Sequence, residues 1–433
     1  MENRINQLMS RLDRSTCNFL AVDTIKRELK SAGFIEVRQQ DAWKLTAGGK
    51  YFMVKNDSAI FAFVKGNGTP GECGFRIISA HSDSPCFKIK PNPEIYGDGG
   101  VVSLNVEKYG GAILYTWFDR PLSMSGRVML DSGDALNPET MLFDLGRPVA
   151  TIPHLAIHFN RSVNDGNPLS VQKDMKPVIG FFTPGQIEEA KRHGGFVKIM
   201  VASHLGIEPE SIIDYEIVLY PYEKASRCGF NGEYFQSARI DDLSMAFAGL
   251  DSLIATAGKG CADTRVLAIF DNEETGSGTK QGAASPVLRD LLERICGGGG
   301  ETFSRMVARS FMISADDAHA WHPNYSEKYD PTNHPVIGGG PVVKVNSNCK
   351  YMTDAVGGAI FRNLCRKAGV ACQSFVNHSD VAGGSTLGNI LTSQLDVKGV
   401  DMGNAIWAMH SARETAGVMD QISTIKVFTT FFS

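Results

Sequence analysis

The sequence predicts an α/β protein: a three-layer sandwich with helices on both faces of a mixed sheet, interrupted by an inserted β-rich module. Three observations carry that reading. A helical pattern followed by short apolar strands opens the chain, and after about 235 strands alternate with helical patterns, the mark of a layered α/β fold. From 92 to 234 the texture changes to brief apolar runs separated by Gly, Pro and Asp, with little sustained helical period. At 433 residues the chain is long enough for two to three domains. The predicted division is a discontinuous domain, 1–91 with 235–433, and an insert, 92–234.

Taken in order, Ser15 or Thr16 is expected to cap a helix in which Leu20, Val22, Ile25 and Leu29 recur at mostly helical spacing, until Gly33 stops it. Strands are expected at 51–55, 59–64 and 75–80, with turn signals at Asn56-Asp57 and Gly66-Asn67-Gly68. Within the insert, 101–106, 112–118 and 124–130 read as strands. Beyond it, Leu243, Ala246, Phe247, Leu250, Leu253 and Ile254 predict a helix, followed by a strand at 265–270, a helix near 286–295, a break at Gly297–Gly300 and a strand at 311–315. Ligands of such folds sit beyond the carboxyl ends of the strands.

Composition narrows the function. Hydrophobic residues make up 43% and charged residues 21%, which argues against disorder and coiled coil. Forty-three basic against 47 acidic side chains lack the basic excess of a nucleic-acid binder. Nine cysteines, odd in number and never spaced Cys-x-x-Cys, argue against a disulfide framework or thiolate zinc site and favour a reducing cytoplasm. No apolar run reaches 18 residues and no leader-like h-region opens the chain, so neither export nor membrane insertion is expected.

Five polar clusters follow or flank apolar runs: His81-Ser82-Asp83, Asp241-Asp242, Asp271 to Glu274, Asp316-Asp317 and His410. Singly, each reads as a cap or a solvated turn. Together they offer two imidazoles and several carboxylates without a thiolate, a donor set suited to zinc, manganese or cobalt in an open catalytic site. Two ions would use it fully, one carboxylate bridging them. In an extended segment His81 and Asp83 point the same way, so Asp83 can orient the imidazole. Adjacent glutamates project differently, so that one of Glu273 and Glu274 binds metal and the other stands as general base; spacing leaves open which.

Competing motifs are weak. His154 and His158 could share a helix face, but Ile152, Leu155 and Ile157 beside them favour packed core histidines. The run Gly383-Gly384-Ser385-Thr386-Leu387-Gly388 lacks the glycine of a nucleophile elbow, and Gly276-Ser277-Gly278 lacks the Lys of a phosphate loop. In Val342 to Asn346, alternation sets Lys344 opposite Val343 and Val345, ordinarily a solvated position.

At these clusters the chain resembles the aspartyl aminopeptidases, a family of cocatalytic zinc peptidases. The resemblance spans nearly the whole length and is carried by Ser79 to Cys86, Arg239-Ile240-Asp241-Asp242, Asp271 to Glu274, Ser314 to Ala320 with His322-Pro323-Asn324-Tyr325, Gly340 to Asn346 and Met409-His410-Ser411. It implies that His81 and Asp316 hold one zinc and Glu274 and His410 a second, with Asp241 bridging. It further implies Glu273 as general base, Asp83 behind His81, and His158 reaching across a dimer to a neighbour's site. Lys344 would pair with the carboxylate of an N-terminal Asp or Glu. Asp317 stands where many relatives have an apolar residue, and Asp242 where they often have Asn. The insert would be a dimerisation domain, the assembly a tetrahedral dodecamer. The resulting expectation is an aminopeptidase with two zinc ions, acting on peptides with an acidic N-terminus and having no nucleic-acid or membrane partner. The alternatives are a dinuclear deacylase of N-acyl amino acids and a non-catalytic, metal-stabilised scaffold.

Overall fold

The computed structural model describes residues 2–433. The chain divides into two compact units, one of Met1–Asp83, Ala225–Met409 and Glu414–Ser433, the other of Ser84–Lys224 and His410–Arg413.

The first unit is built on a nine-stranded mixed sheet. Its order is Ile35–Glu36, Lys50–Lys55, Ala59–Val64, Thr264–Phe270, Phe75–His81, Phe311–Ala315, Lys398–Gly403, Val342–Lys344 and Gln373–Phe375. The strands Thr264–Phe270, Phe75–His81, Phe311–Ala315 and Lys398–Gly403 run parallel at its centre. They are buried on both sides, which is why they read as continuous apolar runs rather than as alternation.

Period-two geometry sends alternate residues to opposite faces. Ile78, Ala80, Leu267, Ile269, Ile313 and Val400 pack with the helices Asn18–Ser31, Ile240–Thr256, Ala355–Ala368 and Val418–Phe432. Ile77, Val266, Ala268, Phe270 and Met312 pack with Val287–Cys296, Glu301–Ala308 and Leu387–Thr392. This is the three-layer α/β/α arrangement expected. Phe61 and Phe270 meet edge to face at 5.2 Å within the second layer, and fully burying each such ring contributes about 1.5–3 kcal/mol. Gly249 lets the helix Ile240–Thr256 lie close on the sheet, since a Cβ there would stand 2.5 Å from Leu267 Cδ1. A smaller five-stranded sheet joins Ser226–Cys228, Tyr234–Ser237, Glu414–Gly417, Ala405–Trp407 and Ala318–His319.

The second unit is a six-stranded antiparallel sheet, ordered Glu139–Asp144, Leu122–Leu130, Ile212–Pro221, Cys86–Tyr96, Val101–Tyr109 and Val178–Phe181. Val197, Val201 and Ala202 of the helix Phe196–Leu205 share a core with Phe87, Leu104, Met124 and Val128 from its strands.

Several local expectations differ from the structure. The first predicted helix is preceded by another, Glu2–Arg14, and begins at Asn18 with Cys17 at its N-cap and no side-chain cap. Ser15 and Thr16 serve instead as the buried link between the two helices. The run 112–118 is not a strand: Leu114–Trp117 forms a single tight turn whose Trp117 enters the core. The segment around His154 and His158 is neither helical nor core. Leu155 and Ile157 are 57% and 53% exposed, because Pro153 and the turn at Ala156–Phe159 carry this stretch over the surface. His154 stacks on Phe118 at 4.2 Å, and His158 is exposed.

Candidate metal centre

The parallel strands end side by side, Phe270 level with His81 and Ala315 level with Met402, so the polar residues that follow them emerge at one edge of the sheet. The Asp316 amide donates to the Met402 carbonyl at 2.9 Å. A side chain at Gly403 would place Cβ 2.1 Å from the Asp316 carbonyl oxygen, so only glycine permits this approach. Asp241 and Asp242 open the helix Ile240–Thr256 with non-helical torsions and a cis peptide between them, and the Asp241 amide donates to Glu414 Oε2 at 3.1 Å.

Within the first unit these elements bring together His81, Asp83, Asp241, Asp316, Glu273, Glu274 and Lys344. His81 Nδ1 lies 3.0 Å from the Asp83 carbonyl oxygen and 3.3 Å from its Oδ1. That contact orients the ring and turns Nε2 toward Asp241 Oδ1 at 3.5 Å and Asp316 Oδ1 at 3.8 Å. Asp83 also accepts the amides of both glutamates, Glu273 at 3.2 Å on Oδ1 and Glu274 at 3.1 Å on Oδ2. One carboxylate thus fixes the imidazole and the turn that presents the adjacent glutamates.

Lys344 is buried, at 4% exposure, contrary to the solvated position that alternation suggests. Its ammonium pairs with Asp316 Oδ2 at 3.0 Å and lies 5.7 Å from the Tyr351 ring. Asp316 therefore turns one oxygen to Lys344 and the other to His81. Asp317 is turned away, accepting from Ser244 Oγ at 2.8 Å and the Asn404 amide at 3.2 Å, and Asp242 Oδ2 accepts the His81 amide at 3.0 Å.

The electrostatics follow from burial and crowding. Burial opposes charge on His81, but Asp241, Asp316 and Asp83 outweigh it and hold the imidazole well above its ordinary range. Asp316 is buried too, yet Lys344 and His81 keep it well below the usual carboxylate range. Burial, only partly offset by His81, raises Glu273 to about 8. Asp242 and Asp317 are likewise pushed well up, chiefly by burial.

The donors fit a zinc ion. His81, Asp241 and Asp316 each offer one ligand atom, all within 4.8 Å of one another. Ligand atoms on tetrahedral zinc at about 2.0–2.2 Å stand about 3.3–3.6 Å apart, close to the separations around Nε2. With His81 neutral, as a metal ligand must be, the carboxylates of Asp83, Asp241 and Asp316 face the single ammonium of Lys344, and a dication would balance that excess.

His410 and His158 belong to the second unit. His410 has a left-handed backbone (φ 67°) and its Nδ1 lies 3.3 Å from the Gly111 carbonyl oxygen. The chain leaves the first unit after Met409 and returns to it at Glu414. Sequence reasoning missed three residues: Thr386, buried next to Asp316; Asp401, near Lys344; and Glu414, which accepts the Asp241 amide. Asp401 carried a signal, a charge inside the buried strand Val400-Asp401-Met402, whereas Glu414 carried none.

A layered α/β fold with an imidazole and two carboxylates converging beyond its parallel strands defines a metallohydrolase. The chain belongs to the M18 aminopeptidases: the family model described as aminopeptidase I zinc metalloprotease matches residues 11–432. It is similar to a probable M18 family aminopeptidase 2 of Clostridium novyi, 45% identical over 439 residues covering all of both chains. Among solved structures it is similar to a chain of the Ape4 and Nbr1 complex, with 34% identity, a TM-score of 0.94 and coverage of 98% of this chain and 84% of that one. It is also similar to the mApe1 dodecamer of S. cerevisiae, with 25% identity, a TM-score of 0.86 and coverage of 99% and 95%. The protein is thus a zinc-dependent aminopeptidase, a hydrolase. Among the described residues no helix is long and apolar enough to cross a membrane.

Proposed function

We propose that the enzyme removes the N-terminal residue of peptides, preferring Asp or Glu, with two zinc ions at the site. The observation that carries the metal-centred reading is His81 set between Asp241 and Asp316, its far nitrogen held by Asp83. On this reading His81 and Asp316 would hold one ion and Glu274 and His410 the other, with Asp241 shared between them. Zinc supplies Lewis-acid polarisation of the scissile carbonyl and acidifies a water, a role manganese or cobalt could also fill. Glu273, raised by burial and anchored through its amide to Asp83, accepts the water's proton and returns it to the leaving amine. The acidic preference rests on the resemblance to aspartyl aminopeptidases and on Lys344, whose ammonium has three donors and gives one to Asp316.

The second unit serves as the dimerisation domain, and its exposed His158 acts at a neighbouring subunit's site within a tetrahedral dodecamer; mApe1 of S. cerevisiae is a dodecamer. The compartment is the cytoplasm, in keeping with the absence of disulfides among the described cysteines. Substituting the two glutamates tests the division of labour. Glu273→Gln keeps its zinc and loses about 10²- to 10⁴-fold in kcat, whereas Glu274→Gln loses zinc. Normal turnover in Glu273→Gln at unchanged metal content overturns the assignment.

A further inference from the structure

The run Gly383 to Gly388, set aside above as a nucleophile elbow, lies in a loop with another use. At one end of the loop Thr386 stands next to Asp316. Upstream, the loop Val376 to Gly383 walls a cavity of about 510 Å³, whose other wall begins at Asn346, two residues beyond Lys344. Asn346 Nδ2 donates to Asn377 Oδ1 at 3.3 Å across it, and Gly383 folds so close that a Cβ there would lie 2.7 Å from the same oxygen. Lys350, His378 and Asp380 line the cavity; the Asp380 amide donates to His378 Nδ1 at 3.2 Å, which leaves Nε2–H as that ring's free donor. An adjoining cavity of about 230 Å³ shares Asn377 and His378 and adds Lys328.

An enzyme that removes one residue at a time needs a closed end for that residue and an open path for the remainder. Lys344, at 4% exposure, closes the first. The polar, water-facing cavity beside it suits the second. We infer that this cavity is the subsite for the residues after the scissile bond, and that Lys350 by its charge and His378 by its Nε2–H donor favour a carboxylate there. The inference rests on the proposed placement of the reacting centre at Asp316. The carboxylate comes from an acidic side chain or from the C-terminus of a short peptide. Attraction to an exposed ammonium such as Lys350 is weak, so the preference is about two- to five-fold, carried in KM and weakened by salt.

The test compares three tripeptides sharing whichever N-terminal residue the enzyme removes fastest. They end in Ala-Glu-amide, Ala-Gln-amide and Ala-Gln with a free carboxylate. Wild type is expected to favour the two charged peptides, the Glu-amide and the free acid reporting the two sources separately, and the preference is expected to shrink as salt rises from about 0.02 to about 0.5 M. Lys350→Gln and His378→Gln are expected to erase it. Because each ratio is internal to one enzyme, a general loss of activity cannot imitate the effect. A wild-type ratio near one, or a ratio unaltered in both variants and by salt, overturns the subsite. Failure of the wild type to cleave any of the three overturns instead the reacting centre on which it rests.

Discussion

Replacing Asp83 by Asn tests whether one carboxylate organises the site. Asp83 accepts two backbone amides through separate oxygens, at 3.2 and 3.1 Å, and stands 3.3 Å from His81 Nδ1. An Asn side chain has a single acceptor oxygen, so its amide group turns a donor toward one of the two N–H groups. One charge-assisted hydrogen bond is lost and the other loses its charge. At about 1.5–3 kcal/mol for a hydrogen bond to a charged group, one such loss is worth about 10- to 150-fold. Outer partners of metal ligands typically cost about 10- to 100-fold in affinity or activity. The expected outcome for Asp83→Asn is a fall of about 10- to 100-fold in kcat/KM, with a comparable fall in zinc affinity. Chelator competition and steady-state kinetics on the same preparation read both. Values within twofold of wild type in both measurements would refute the organising role.

Lys344→Met is expected to lower kcat/KM about 10- to 100-fold for Asp- and Glu-peptides and far less for Leu-peptides, through loss of a charged hydrogen bond; an unchanged ranking removes Lys344 from substrate recognition. Mixing inactive His158→Phe subunits with inactive Glu273→Gln subunits under exchange conditions is expected to restore part of the activity; no recovery means each site is complete within one chain. The pH dependence of stability has a definite sign. Glu273 is raised to about 8, against about 4.3 unfolded, and His81 is also raised, so the fold binds protons that the unfolded chain has released. Their contribution to stability is present at low pH and is lost as pH rises toward 8, at about 1.4 kcal/mol per pH unit for each net proton. Chelator-treated protein is therefore expected to show a falling Tm between pH 5.5 and 8, and a rising Tm contradicts this.

The layered fold was legible because its strands are continuous apolar runs and its helices carry long periods, as at Thr264–Phe270 and Ile240–Thr256. The inserted loops were less so. The stretch 112–118 is as apolar as a strand, but only Trp117 and Phe118 bury deeply, as a turn allows. The residues around His158 look like core in sequence and lie on the surface, because apolar composition does not say which face a segment covers. At the site, His81, Asp241 and Asp316 announced themselves by lying at the ends of apolar runs. The burial of Lys344 did not, since alternation cannot distinguish solvent from a counter-charged interior, and the pairing with Asp316 spans 28 residues of sequence.

The central claim is that a metal centre cleaves a peptide bond next to a free α-amine. Its most direct test measures hydrolysis of one acidic peptide in two forms, with the amine free and N-acetylated, each with and without chelator. The account predicts rapid cleavage of the free-amine form, little or none of the acetylated form, loss of activity on chelation and recovery on adding zinc. Cleavage of the acetylated form at an equal or greater rate, or activity indifferent to chelator, would contradict it.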